Sequence, residues 1–112
     1  LKAVESELLR PGGGVYRYRA DVYYGGGEWI LLSAWLGWVY ALNGQPEKAA
    51  PLLAWIEAQA DEFGQLPEQV NEHPLAAAHY QPWLKKWGPV AKPLLWSHGM
   101  YIILRNALEG RG

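Results

Sequence analysis

Two stretches of this 112-residue chain leave few folds open to it. Glu28 to Asn43 carries Trp29, Ile30, Leu31, Leu32, Trp35, Leu36, Trp38, Val39 and Leu42. Pro93 to Leu108 carries Leu94, Leu95, Trp96, Met100, Tyr101 and the run Ile102-Ile103-Leu104. Each is several helical turns long, and apolar side chains wrap most of its circumference. A helix that is apolar nearly all round is buried on several sides. Two such helices in so short a chain demand partners on more than one face.

The neighbouring elements supply part of that cover. Asn43-Gly44 stops the first helix. Pro46 fits the first turn of a second, which runs to about Glu62. That helix sets Leu52, Leu53, Trp55 and Ile56 against Glu47, Lys48, Glu57, Gln59, Asp61 and Glu62, so it has one wet side. Leu1 to Arg10 reads as the last turns of a helix, with Leu1, Val4, Leu8 and Leu9 on one face and Pro11-Gly12 ending it. Such a short helix is marginal by itself. The alternation of wet-faced and buried helices predicts an all-α fold, a ring of inner helices sheathed by outer ones.

Two aromatic loops lead into the buried helices. In the first, triple glycines at 12–14 and 25–27 bracket Val15 to Tyr24, an extended stretch of Tyr, Arg and Val with some strand propensity. The second runs from Gly64 to Lys92 with four prolines, and Leu75 to His79 can form a turn of helix. Loops this long in a compact domain usually carry function. Both enter the N-terminal ends of buried helices, so one rim should gather Arg17, Asp21, Glu28, Trp29, Glu68, Trp96 and His98.

Composition narrows the chemistry. Seven Trp and seven Tyr accompany one Phe. Trp and Tyr combine a flat face with a polar handle, which suits sugars. Trp35, Trp38 and Trp55 read as helix-interface fillers. Trp83 and Trp87, in the second loop, are open to packing or to sugar stacking. The net charge is −1 and the basic residues are scattered, which argues against a nucleic-acid partner. No apolar run reaches the ~18 residues of a membrane span, so no membrane association is expected. There is no cysteine, hence no disulfide or thiolate chemistry. His73, His79 and His98 lack metal-ligand spacing, so no metal is expected. The triple glycine before Glu28 is not followed by Gly-Lys-Ser/Thr. A nucleotide loop is therefore rejected, and no cofactor is expected. No signal peptide opens the sequence, which favours the cytoplasm. The chain starts at Leu1 without an initiator Met and reads as a processed or excised piece.

In two segments the sequence resembles the glucoamylase-type glycoside hydrolases, family 15. One is Tyr16-Arg17-Tyr18-Arg19-Ala20-Asp21-Val22-Tyr23-Tyr24, the turn Gly25-Gly26-Gly27, and Glu28-Trp29. The other opens with Leu66-Pro67-Glu68-Gln69-Val70 and closes with Pro93-Leu94-Leu95-Trp96-Ser97-His98. The resemblance covers nearly the whole chain. It implies part of an (α/α)6 barrel, six inner and six outer helices joined by long active-site loops. Residues 1–112 would be the C-terminal segment of that catalytic domain. It also implies that Glu68 is the general base, that Arg17 and Asp21 contact sugar hydroxyls, and that Trp29 lines the sugar subsites. Trp96 and His98 open the last inner helix beside that site and are candidate substrate contacts. The sequence departs from the fungal form at Glu28, where a proline usually stands, and no catalytic role is given to Glu28.

Inverting glycosidases need two carboxyl groups about 6.5–9.5 Å apart, with a water beside the base. Glu68 can take the water's proton. The only candidates here for the acid are Glu28 and Glu72, and neither suits; the family's acid lies on an earlier loop that this chain lacks. Without the resemblance, Glu68 reads as a surface or capping carboxylate, and Arg17–Asp21 as a surface ion pair of little value. The expected activity is inverting release of glucose from an α-glucan or another α-glucoside such as trehalose, with the isolated chain inactive. The alternatives are a non-catalytic glucoamylase-like scaffold or regulator and a free-standing sugar-binding module. The uncovered apolar helices predict a homo-oligomer for this chain alone.

Overall fold

The computed structural model describes residues 2–110. Leu1, placed above on a helix face, lies outside the described residues, as do Arg111 and Gly112. Five α-helices account for about half of the chain: α1 (Lys2–Glu7), α2 (Ile30–Leu42), α3 (Pro46–Ala58), α4 (Tyr80–Trp87) and α5 (Leu95–Leu108). Three two-residue strands add a small antiparallel sheet, with β1 (Val15–Tyr16) and β3 (Gln69–Val70) flanking β2 (Glu28–Trp29). The architecture is all-α, with a sheet too short to form a layer, and is compatible with a piece of a helical glycosidase barrel.

Helix α2 is the hub, packing on α3 and on α5. Its buried side is Ile30, Ser33, Ala34, Leu36, Gly37 and Tyr40. Leu52 and Ile56 of α3 and Leu104 of α5 complete the core. Gly37 sets the α2–α5 spacing, because a Cβ there would stand 2.9 Å from Leu104 Cδ2, and Leu104 is fully buried. From α1 and the turn that follows it, Val4 and Leu8 pack onto the edge of this cluster.

The element boundaries differ from the sequence reading in three places. The helix expected from Glu28 starts at Ile30, because Glu28 and Trp29 pair with Tyr16 and Val15 on one side and with Val70 and Gln69 on the other. The second helix stops at Ala58 rather than Glu62, and Asp61 turns the chain by accepting the N–H groups of Phe63 and Gln65. The last helix starts at Leu95, not Pro93, because Leu94 is extended and donates its N–H to the Leu66 carbonyl.

The stretch 64–92 is the larger correction. The sequence predicts connection with one possible turn of helix, yet the stretch contains β3, a 3-10 turn at Ala77–His79 and all of α4. Pro82 sits in the first turn of α4, where backbone N–H groups have no helical partner, so it does no harm. Trp35 is also corrected. It was read as an interface filler but is 51% exposed on the outer face of α2, whereas Trp38 and Trp55 are half-buried.

The first loop depends on a left-handed turn. Gly26 has φ +72°, and any Cβ there would run into the Asp21 carbonyl oxygen. The carbonyls of Gly25 and Gly26 in turn accept the N–H groups of Ala76 and Leu75. The two aromatic loops are thus stitched together directly.

Candidate active site

Side chains of successive strand residues face opposite ways. Strand β2 therefore sends Trp29 and Glu28 to different sides, and their contacts differ accordingly. On the Trp29 side lies a cation and aromatic cluster. The Arg17 guanidinium carbon is 4.8 Å from the Trp29 ring centroid and 5.1 Å from that of Tyr23. Tyr23 stacks on Trp29 with centroids 6.2 Å apart and planes 26° apart. Arg17 is aimed by a fork of two bonds, Nε to Asp21 Oδ2 at 3.0 Å and Nη2 to Oδ1 at 2.9 Å. Asp21 is 1% exposed and also accepts the Tyr23 backbone N–H. The Asp21 hydrogen bond raises the Arg17 pKa above its ordinary value, against the opposing effect of burial.

Glu68 is fixed through its backbone and its side chain. Its N–H donates to the Ala91 carbonyl at 2.9 Å, and its carbonyl accepts the Ile30 N–H at 3.3 Å. Its Oε1 accepts a bond from Gln69 Nε2 at 3.3 Å. Gln69 is buried, and its own Oε1 accepts the Gly27 N–H at 3.0 Å. A backbone N–H can only donate, so it settles which end of the amide faces which way. The NH2 is left for Glu68. The Tyr23 hydroxyl neighbours the same carboxylate; burial first, then the Glu68 charge, pushes its pKa up. Tyr23 thus stays a hydrogen-bond donor and links Glu68 to the Arg17–Trp29 cluster.

Glu28 faces the other side of β2. It is 1% exposed, and its Oε2 accepts Arg10 Nε at 3.1 Å. Burial raises its pKa, and the Arg10 hydrogen bond partly offsets that. Among the described residues, two buried side-chain atoms have no partner, Glu28 Oε1 and Trp29 Nε1.

The expected seven-residue rim is therefore smaller. Arg17, Asp21 and Trp29 come together, with Tyr23 joining them to Glu68. Glu28 is turned to the opposite face by strand alternation. His98 lies beneath the second loop, where its Nε2 accepts the Leu66 N–H at 3.0 Å while Ser97 Oγ donates to the Pro67 carbonyl. Both bonds brace the residues immediately before Glu68, and the first leaves the imidazole proton on Nδ1. Trp96 is 71% exposed and lines a separate apolar cavity with Leu31, Met100 and Ile103. Sequence reasoning missed Tyr23 and Gln69. The available signal was a buried-type position, between Leu66 and Val70, occupied by a polar amide next to a carboxylate.

Among the described residues no three His, Cys, Asp or Glu side chains converge as a metal site. Nor, among the described residues, is any helix long and apolar enough to cross a membrane. No protein-family profile matches the chain. Individual relatives do. The isomaltose glucohydrolase of Kribbella flavida is 52% identical over 107 residues, which is 96% of this chain and 28% of that protein. An uncharacterized glycosyl hydrolase of Methanocaldococcus jannaschii is 27% identical over 91% of the chain and 17% of its own length. A solved glycosidase matches at TM-score 0.94 and 53% identity, again over 96% of this chain and 29% of that one. Structures of that glycosidase include a glutamate-to-alanine variant in complex with glucose, 52% identical, and a phenylalanine-to-tyrosine variant, 54% identical. The chain thus spans less than a third of the relatives it matches. Over that span its homologues are glycosidases.

Proposed function

We propose that residues 1–112 are the C-terminal segment of a glucoamylase-type catalytic domain that hydrolyses an α-glucoside with inversion, and that Glu68 is its general base. The observation that carries this is the mounting of Glu68: backbone held on both sides, one carboxylate oxygen oriented by Gln69, and Tyr23, Arg17 and Trp29 alongside. A base must be aimed at its water before its pKa matters.

The relatives support the same residue. Replacing one glutamate by alanine in the solved glycosidase lowers the identity to this chain slightly, and replacing one phenylalanine by tyrosine raises it slightly. The two substituted positions lie as far apart in that protein as Glu68 and Tyr23 do here. Both changes fit an alignment in which Glu68 stands at the altered glutamate and Tyr23 at the altered phenylalanine. The glucose held by the glutamate variant, and the isomaltose named for the curated relative, point to a short α-glucoside as the substrate.

The roles then follow from geometry. Asp21 has both oxygens engaged, so it aims Arg17 and leaves sugar hydroxyls to the free guanidinium edge. Trp29 has its ring against Arg17 and Tyr23 and its Nε1 buried, so it shapes and holds the Arg17 cluster rather than presenting a stacking face. The general acid comes from outside this span, since Glu28 is tied to Arg10 on the far side of β2. In a protein with hydrolytic activity, Glu68→Gln should lower kcat by ~10²–10⁴-fold and leave sugar binding in place. Retention of more than about a tenth of the parent kcat refutes the assignment.

A further inference from the structure

Helix α4 and its two tryptophans have no part in the site described so far. We propose that α4 is an outer sugar subsite, on which Trp87 stacks the ring beyond the glycosidic bond to be cleaved. This rests on the α-glucoside reading above. Trp83 and Trp87 are four residues apart and so share a helix face, as do Pro82 and Lys86. The four line an open cavity of about 320 Å³.

Trp83 is anchored to the site. Its ring meets Tyr23 edge-on at 4.9 Å and lies 5.7 Å from that of Tyr24. Tyr23 in turn stacks on Trp29. The far end of α4 is pinned as well, because the Tyr24 hydroxyl donates to the Gly88 carbonyl at 2.5 Å. Three residues past Gly88, the Ala91 carbonyl accepts the Glu68 N–H. A chain of that length spans at most ~14 Å from Trp87 to Ala91, so Trp87 stands within a short oligosaccharide of Glu68.

Trp87 itself is 63% exposed. The helix that carries it is held at both ends, and most of the indole is open to solvent. Lys86 Nζ sits 5.3 Å from its ring centroid and adds donors that reach hydroxyls. The neighbours Gln81, Lys85 and Lys86 are exposed and polar. A lone rigid indole in a polar surround fits a sugar ring, which has an apolar face and a hydroxyl edge. An apolar helix would need a broader patch. Rigid placement in advance also lowers the entropy lost on binding.

The test is a titration of the protein carrying Glu68→Gln with glucose, isomaltose and isomaltotriose, followed by calorimetry, with Trp87→Ala and Trp87→Tyr added in turn. Affinity should rise with chain length. Trp87→Ala should lower affinity for the two longer sugars by about three- to tenfold and leave glucose unchanged. Trp87→Tyr should restore most of it. Sugars that bind with no length dependence, or a length dependence indifferent to Trp87→Ala, overturn the subsite alone. An equal loss for glucose overturns it as well, since that marks a change in fold. Absence of binding by all three overturns the α-glucoside reading and the subsite with it.

Discussion

Glu28 and Glu68 show how neighbouring segments set opposite fates for one residue type. Glu68 is half-exposed at the end of a loop, with an amide and a phenol beside it. Glu28 is sealed under β2, with one oxygen on Arg10 and the other bare. Its pKa in the folded chain is raised above 4.5, chiefly by burial. The folded state therefore holds this proton more tightly than the unfolded state. Its contribution to stability is full below pH 4.5 and is lost as pH rises through the folded value. Melting curves should show this as a difference: the parent loses stability relative to Glu28→Gln as pH climbs above 4.5. A parallel pair of curves across that window contradicts it. At this scale the motif singled out Glu68, Arg17 and Trp29, which the fold places near one another through Tyr23, but not the direction in which Glu28 points. A two-residue strand has no periodicity to read, so nothing in the letters says that positions 28 and 29 alternate. Tyr23 and Gln69 were hidden for a related reason, since each acts through a partner more than 40 positions away in sequence.

Among the elements, α2 and α5 were legible because apolar residues on nearly every side of a long helix leave one interpretation. Their closeness was not, because it depends on Gly37, and a glycine inside a helix reads as a simple weakness. Gly37→Ala gains up to ~1 kcal/mol of helix propensity. It also drives a Cβ to within 2.9 Å of Leu104, which is sealed in the core and cannot swing away. Overpacking of this kind costs ~1–3 kcal/mol. We expect a net loss of about 1 kcal/mol in chemical denaturation. A more stable variant means that α2 and α5 can separate. Helix α4 escaped the sequence reading because it is eight residues long, carries Pro82 in its first turn and follows two other prolines. Its hydrophobic side is short and made of tryptophans rather than aliphatic residues. The punctuation marks were read correctly as breaks; what they bracket was not.

The whole molecule is a slab, with extents of 43 × 33 × 18 Å. An α-helix with its side chains is about 10–12 Å across, so the thin dimension holds fewer than two full helix diameters. That thickness explains why helices apolar on most sides keep exposed residues: Trp35 and Leu42 on α2, and Leu95, Trp96, Ile102 and Ile103 on α5. A groove between α1 and α2 adds Val4, Leu8, Leu32 and Val39. Exposed apolar surface on this scale drives association. Light scattering on the 112-residue chain should give a mass above 12.6 kDa, and Trp96→Lys should lower it. A monodisperse monomer of the parent chain contradicts this.

The excursion between the two loops is tied at both feet. It leaves the sheet where Leu75 and Ala76 donate to Gly26 and Gly25, and it returns where Ala91 accepts from Glu68. Between those clips Trp83 and Gly88 still touch Tyr23 and Tyr24, so a replacement that keeps those two contacts leaves Glu68 where it stands. A designer can treat such a segment as a cassette, fixed at its ends and replaceable in between. Transplanting the equivalent stretch from a glycosidase homologue would then separate what this segment selects from what the mount of Glu68 does.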